Sequence, residues 1–276
     1  MTMTFRLFVC IPLTFGSIIS CDSAEKNNEG AEPKNTLPGT PLLGYSIVNT
    51  YPHDTAYFTE GLEFYKGQLW ESSGGNKAES PYPSAAGIAD LTKGKVDSKI
   101  VLDAAVYFGE GITIFKDVLY QLTWKNGVGF TYDMKSYRKT GEFRIPSPEG
   151  WGLTHDSSIL YMSDGSNSIY QIDPAGFRIK NILRVSDENG PAGNLNELEF
   201  VNGNIYANQW LSPYILRIDA TTGKVTGKID LSKITNEIGA RQQNTDVLNG
   251  IAYHSSKGTF FITGKKWPLI YEIQLQ

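Results

Sequence analysis

The sequence predicts an all-β chain, a five-bladed β-propeller closed by an N-terminal strand that completes the last blade. Three observations carry this prediction. Five segments resemble one another, each holds the pattern of four short strands, and the two ends of the domain read as parts of one segment. Four segments align without a gap: Gly61-LEFYKGQL-Trp70, Gly111-ITIFKDVL-Tyr120, Gly152-LTHDSSIL-Tyr161 and Glu197-LEFVNGNI-Tyr206. The fifth, Gly250-IAYHSSKGTFF, carries extra residues at its turn. The first residues of these segments, the anchors, lie 50, 41, 45 and 53 residues apart.

Within a segment, alternating apolar residues such as Leu62 and Phe64, or Ile112 and Ile114, predict a strand. A short turn follows, as at Lys66-Gly67, Lys116-Asp117 and Asn202-Gly203, and then a second strand, as at 118–123 or 204–208, which makes a hairpin. A further strand pair comes later, as at 168–173 with 177–185, or 214–219 with 224–231. The final strand, 269–275, matches the third strand of a segment and nothing follows it as a fourth. The strand at 44–51 precedes the first anchor and has no blade of its own, so it supplies the missing fourth strand and covers two open sheet edges.

Ahead of the domain, residues 7–19 (LFVCIPLTFGSII) form an apolar run after Arg6. The run is too short to span a bilayer and fits the core of an export signal. It ends in Ile18-Ile19-Ser20-Cys21, similar to a bacterial lipobox, in which the cysteine is lipidated and becomes the new N-terminus. The expected organisation is a signal peptide over 1–20, a lipidated Cys21 with a flexible, Pro-containing tether over 21–42, and the propeller over 43–276. The expected location is the cell envelope, as a lipoprotein on the periplasmic or outer-membrane side, or the exterior if the signal is an ordinary secretory one. The membrane is then contacted through the lipid anchor only, and the chain is expected to be a monomer.

Composition narrows the function. The formal charge of −4 and the lack of a basic block argue against nucleic acid as a partner. Of 3 His and 2 Cys, both Cys fall within the first 21 residues, which argues against a Cys/His zinc site or a Cys–His nucleophile pair in the domain. His53, His155 and His254 fall at or near turns of different units and read as structural or surface residues.

In a propeller the innermost strands line a central channel, so equivalent positions form rings. Just before the anchors stand Glu60, Glu110, Trp151, Asn196 and Asn249. Three places before them stand Phe58, Phe108, Glu149, Asn194 and Val247. Thirteen places after stand Gly74, Trp124, Gly165 and Trp210, with Lys265 in the longer fifth unit. Aromatic walls around a few convergent polar groups hold small organic groups. Two carboxyls in one cavity repel when both are ionised, so one is expected to keep its proton near neutrality.

The motifs that carry these rings resemble one family. Tyr51-Pro-His-Asp54, Phe58-Thr-Glu-Gly-Leu62, Phe108-Gly-Glu-Gly-Ile112, Glu149-Gly-Trp-Gly-Leu153, Asn208-Gln-Trp210, Leu248-Asn-Gly-Ile-Ala252 and Thr263-Gly-Lys265 are similar to the plant- and bacterial-type glutaminyl-peptide cyclotransferases over about residues 43–276. The resemblance implies a five-bladed propeller and conversion of N-terminal Gln of peptides or proteins into pyroglutamate and ammonia, with no metal or other cofactor. It implies Glu110 as the catalytic carboxyl and proton shuttle, Phe58, Phe108, Trp124, Trp151 and Trp210 as pocket aromatics, and Asn196 and Lys265 as polar pocket residues. Many members carry Gln where this chain has Glu60, a position that would steady the substrate ammonium. Charge on the amide oxygen would be met by Asn196, Lys265 or a Trp indole N–H.

Two other functions fit a propeller. A calcium-dependent lactonase or hydrolase would use Glu60, Asn196 and Asn249 as oxygen ligands, and a non-catalytic interaction propeller would use its rim loops and tolerate loss of Glu110.

Overall fold

The computed structural model describes residues 39–78 and 80–276. The expected signal peptide, Cys21 and the tether up to residue 38 lie outside the described residues.

The first strand, β1 (Tyr45–Pro52), is followed by blade one: β2 (Phe58–Tyr65), β3 (Gln68–Gly74), β4 (Ala85–Asp90) and β5 (Lys95–Val101). Blade two holds β6 (Gly109–Phe115), β7 (Val118–Thr123), β8 (Val128–Asp133) and β9 (Lys139–Arg144). Blade three holds β10 (Leu153–His155), β11 (Leu160–Ser163), β12 (Ser168–Asp173) and β13 (Arg178–Arg184), and a small hairpin, β14 (Ser186–Asp187) with β15 (Gly190–Pro191), follows it. Blade four holds β16 (Leu195–Val201), β17 (Asn204–Gln209), β18 (Tyr214–Asp219) and β19 (Val225–Asp230). A helix, α1 (Ser232–Arg241), leads to β20 (Leu248–His254), β21 (Thr259–Gly264) and β22 (Leu269–Leu275).

Each blade is a four-stranded antiparallel meander, and the fifth is completed by β1 in the order β1-β22-β21-β20. The innermost strands touch in a closed cycle, β2 to β6 to β10 to β16 to β20 and back to β2. Residues just before β1 hold the ring as well: the Lys228 N–H donates to the Pro41 carbonyl and the Leu43 N–H to the Lys228 carbonyl.

The sequence explains this architecture locally. Lys66-Gly67, Lys116-Asp117 and Asn202-Gly203 all take positive φ, the backbone of a two-residue hairpin turn whose twist matches the flanking strands. Asp90, Asp133, Asp173 and Asp219 open the outer turns, each accepting hydrogen bonds from backbone N–H groups two or three residues on. Apolar residues of the strands fill five interfaces between neighbouring blades. Trp70 and Ile112 lie in the one between blades one and two, and Leu62 and Phe261 in the one that closes the ring between blades one and five. The anchor glycines answer to close approach. A Cβ on Gly111 would lie 2.5 Å from the Trp151 carbonyl oxygen, and one on Gly152 2.1 Å from that of Asn196. At the fourth anchor a side chain is present, and Glu197 uses it to reach the Leu62 and Ile251 N–H groups of blades one and five.

Candidate functional site

The ring of residues just before the anchors sits on irregularities of the innermost strands. The pairing of β2 with β3 skips Glu60, that of β6 with β7 skips Glu110 and Gly111, that of β16 with β17 skips Asn196 and Glu197, and that of β20 with β21 skips Asn249 and Gly250. A bulge lets a side chain leave the alternation of its strand. Here it frees one residue in each of four blades, at the same place in the repeat, from facing a neighbouring blade, while in blade three the equivalent Trp151 stands just ahead of β10.

Phe58, Glu60, Phe108, Glu110, Trp124, Trp151, Asn196, Trp210 and Lys265 all line one cavity of about 340 Å³. Asn249 is buried just outside it. The aromatic wall has two sections: Phe58 meets Phe108 edge-on and Phe108 leans on Trp124, while Trp151 meets Trp210 edge-on with ring centres 5.6 Å apart. Glycines make room for it, since a Cβ on Gly74 would strike the Phe108 ring and one on Gly165 the Trp151 ring.

At the floor, the Lys265 ammonium donates to Glu60 Oε1 at 2.7 Å and lies over the Phe58 ring. The Asn249 amide N–H donates to Glu60 Oε2 at 3.3 Å and to the Thr59 carbonyl. Glu110 shares a hydrogen bond with Glu60 that favours the proton on Glu110. Burial raises the Glu60 carboxyl, but Lys265 opposes it. Burial and the Glu60 charge together hold the Glu110 carboxyl well above the usual carboxylate range. The floor therefore pairs Glu60 with the Lys265 ammonium and leaves Glu110 as the carboxyl that holds its proton more firmly.

A calcium site does not fit this floor. The Lys265 ammonium occupies Glu60, and Asn249 turns its N–H, not its oxygen, toward that carboxylate.

Glu149 has a larger part than its place in the second ring discloses. Its Oε2 accepts from the indole N–H of both Trp124 and Trp151, each at 2.9 Å, and so fixes two walls of the cavity at once. Those two N–H groups are thereby removed from the candidates for meeting the substrate amide oxygen. Asn196 lines the cavity with its Oδ1 buried and unpartnered, and the Trp210 indole N–H makes no hydrogen bond among the described residues. Ser80, Leu211, Asp246 and Lys266 also line the cavity, from loop positions that the three rings do not include.

The histidines do not converge. His53 is buried between Glu71 Oε1 and the Trp267 carbonyl, His155 bonds Thr113, and His254 packs on Phe64.

A family model described as glutamine cyclotransferase matches residues 17–275 of the chain. A glutaminyl-peptide cyclotransferase of Arabidopsis thaliana is 38% identical over 235 residues, covering 83% of this chain and 71% of the plant protein. The crystal structure of the glutaminyl cyclase of Myxococcus xanthus is 34% identical and superposes with a TM-score of 0.76, covering 86% of this chain and 98% of the bacterial one.

Proposed function

The chain belongs to the glutamine cyclotransferase family and converts N-terminal glutamine of peptides to pyroglutamate with release of ammonia, and from that premise we propose how its cavity does so. The observation that carries the mechanism is Glu110 beside the Glu60–Lys265 pair in one aromatic-walled cavity, where burial and the Glu60 charge hold its carboxyl well above the usual carboxylate range.

The glutamine side chain folds back so that its α-amino nitrogen meets its own side-chain carbonyl carbon. Both reactants belong to one molecule, so holding the reactive conformer is the main task of the walls. Phe108, Trp124, Trp151 and Trp210 grip the aliphatic chain and exclude water. The α-amine, with an ordinary pKa of about 7.7–8.0, attacks as the neutral base. A bond forms between the amine nitrogen and the side-chain carbon, and charge gathers on the amide oxygen. The Trp210 indole N–H and the Asn196 side-chain N–H, neither of them engaged among the described residues, are the donors that meet it. Glu110 gives its proton to the departing amide nitrogen and regains one from the attacking nitrogen as the carbon–nitrogen bond to ammonia breaks. The proton count closes within the substrate, and Glu110 ends as it began. Glu60 and Lys265 set the proton affinity of Glu110 and remain a pair throughout.

The decisive experiment is incubation with a Gln-initiated peptide, following ammonia release together with loss of the free N-terminal amine. Both must occur in equal amount. Ammonia release with the amine retained would make the protein a glutamine hydrolase.

We also propose that the protein is an exported monomer held to the cell envelope through a lipid on Cys21. The apolar run at 7–19 and the Ile18-Ile19-Ser20-Cys21 sequence support export and lipidation. Lys and Arg along β5, β9 and β13, such as Lys95, Lys139 and Arg178, discourage pairing of the outer sheet edges and support the monomer. Cys21→Ala is expected to move the protein from the detergent phase to the aqueous phase of a detergent partition. Light scattering of the soluble domain is expected to give the mass of one chain.

A further inference from the structure

A glutamine held against Glu110 at the floor is still joined through its carbonyl to the rest of the peptide, which has to leave through the mouth. Trp210 and Leu211 form one side of that mouth, 37% and 67% exposed, and Leu211 is held at φ +62. A bulky non-glycine residue in that region is strained and persists where the surroundings demand it. Asp246 stands on the same rim.

A second depression of about 380 Å³ begins at these same two residues, Leu211 and Asp246. It runs between Ser212-Pro213 on the loop after β17 and Thr235, Asn236 and Gly239 of α1. Helical spacing puts 235, 236 and 239 on one side of α1, while Ile234 and Ile238 are buried in the core and Ile238 also borders the groove. The groove is mixed in character. Pro213 and Val247 are apolar, and Asn236 is exposed with a side-chain amide that makes no hydrogen bond among the described residues. Such a lining suits an extended main chain, which needs both polar partners and apolar contact. Gly239 leaves it open, because a Cβ there would meet no atom within 4 Å.

We propose that this groove binds the residues that follow the N-terminal glutamine, so that the enzyme prefers extended peptide N-termini over minimal glutamine amides. The inference rests on the reading of the main cavity as the glutamine site. The groove shares two wall residues with that cavity and has no separate ligand chemistry of its own, which makes the substrate's own continuation the occupant.

The test compares kcat/KM for glutamine N-methylamide and a neutral Gln-initiated hexapeptide, in the wild type, Gly239→Ala and Gly239→Phe. In the wild type the hexapeptide is expected to be used at least about tenfold better, mainly through KM, which corresponds to about 1.4 kcal/mol of added binding. Gly239→Phe, on an exposed helical position with room beside it, is expected to bring the ratio of the two substrates toward one. Gly239→Ala is expected to keep it. Equal use of both substrates by the wild type, or an unchanged ratio in a folded Gly239→Phe, overturns the groove while leaving the cyclase activity standing. Failure of the wild type to release ammonia from either substrate overturns the glutamine site and the groove with it.

Discussion

Two sets of buried glutamates stand on innermost strands, and they differ in what holds them. Glu63, Glu197 and Glu199 are pinned by backbone. Glu197 accepts from the Leu62 and Ile251 N–H groups, Glu199 from that of Tyr253, and Glu63 from that of Ile114, each across a blade boundary. Glu60 and Glu110 are held by side chains alone, Lys265, Asn249 and each other, and they face open space. Burial raises the proton affinity of both sets. Depth and an unusual pKa therefore do not distinguish a catalytic carboxyl from a structural one here. The donors do, since a fixed N–H ties a carboxylate in place, whereas side-chain partners beside a cavity leave its proton available for transfer. Among the described residues neither set, nor any other, forms a cluster of His, Cys, Asp and Glu arranged to hold a metal ion.

The largest expected contrast is between Glu110→Gln and Glu197→Ala. General acid–base catalysis contributes about 10²–10⁴-fold, so Glu110→Gln is expected to lower kcat by that factor with the melting temperature nearly unchanged. Glu197→Ala strands two buried N–H groups, at roughly 1–3 kcal/mol each, and is expected to show as a lower urea midpoint with near-normal turnover per folded molecule. A stable but inactive Glu197→Ala would erase the distinction, as would a Glu110→Gln within about threefold of wild type.

This distinction lay beyond the sequence, although the ring that contains the catalytic pair did not. The repeat exposed Glu60 and Glu110 because a propeller turns equal spacing into equal height, and it exposed the closure because the missing fourth strand and the orphan first strand fit one another. Which carboxyls meet backbone and which meet side chains depends on contacts between blades. Leu62 and Glu197, for example, are 135 residues apart along the chain, and no local pattern joins them. Glu149 was visible as a ring member, but its hold on two indoles depends on how Trp124 and Trp151 turn. Helix α1 and the groove beside it lie in the longest interval between anchors and carry no repeat signal.

The next effect concerns the wall that these bonds fix. Glu149→Leu frees both indoles, so the cavity must order them on binding. KM is expected to rise about tenfold while kcat stays within a few-fold, a split that marks positioning rather than proton transfer. Indole fluorescence is expected to shift in the free enzyme, with Glu149→Gln intermediate. An equal loss confined to kcat would move Glu149 into the catalytic set.

Glu63 supplies the third test, through pH. Burial pushes its carboxyl up to about 7, above its ordinary value of 4.5, so the folded state holds its proton longer than the unfolded chain does. Its contribution to stability is full below about pH 4.5 and is lost as pH rises toward 7. At 1.36 kcal/mol per unit the loss reaches about 3 kcal/mol. Glu63→Gln keeps an acceptor for the Ile114 N–H without the titration. It is expected to flatten the fall in stability between about pH 4.5 and 7 in a series of urea titrations. A variant whose stability still falls as steeply as wild type over that window would place the linkage in other groups.

The smallest expected effect belongs to Glu60→Gln, which leaves the shuttle in place and changes only its setting. Cyclisation needs a neutral substrate amine and a protonated Glu110, so kcat/KM should rise through the amine pKa, about 7.7–8.0, and fall when Glu110 ionises. The negative Glu60 beside Glu110 raises that second pKa, and Lys265 opposes it. Replacing Glu60 with a neutral amide removes the first influence and leaves the second unbalanced, so Glu110 loses its proton more easily. The acid limb belongs to the free substrate and should not move, while the alkaline limb should move to lower pH and the optimum narrow from that side. Turnover at the optimum is expected to stay within about tenfold of wild type, since no proton passes through Glu60. An alkaline limb that stays fixed or moves upward would mean that Glu60 does not set the proton affinity of Glu110. A Glu60→Gln enzyme as inactive as Glu110→Gln would make the two carboxyls a single relay in which both carry the proton.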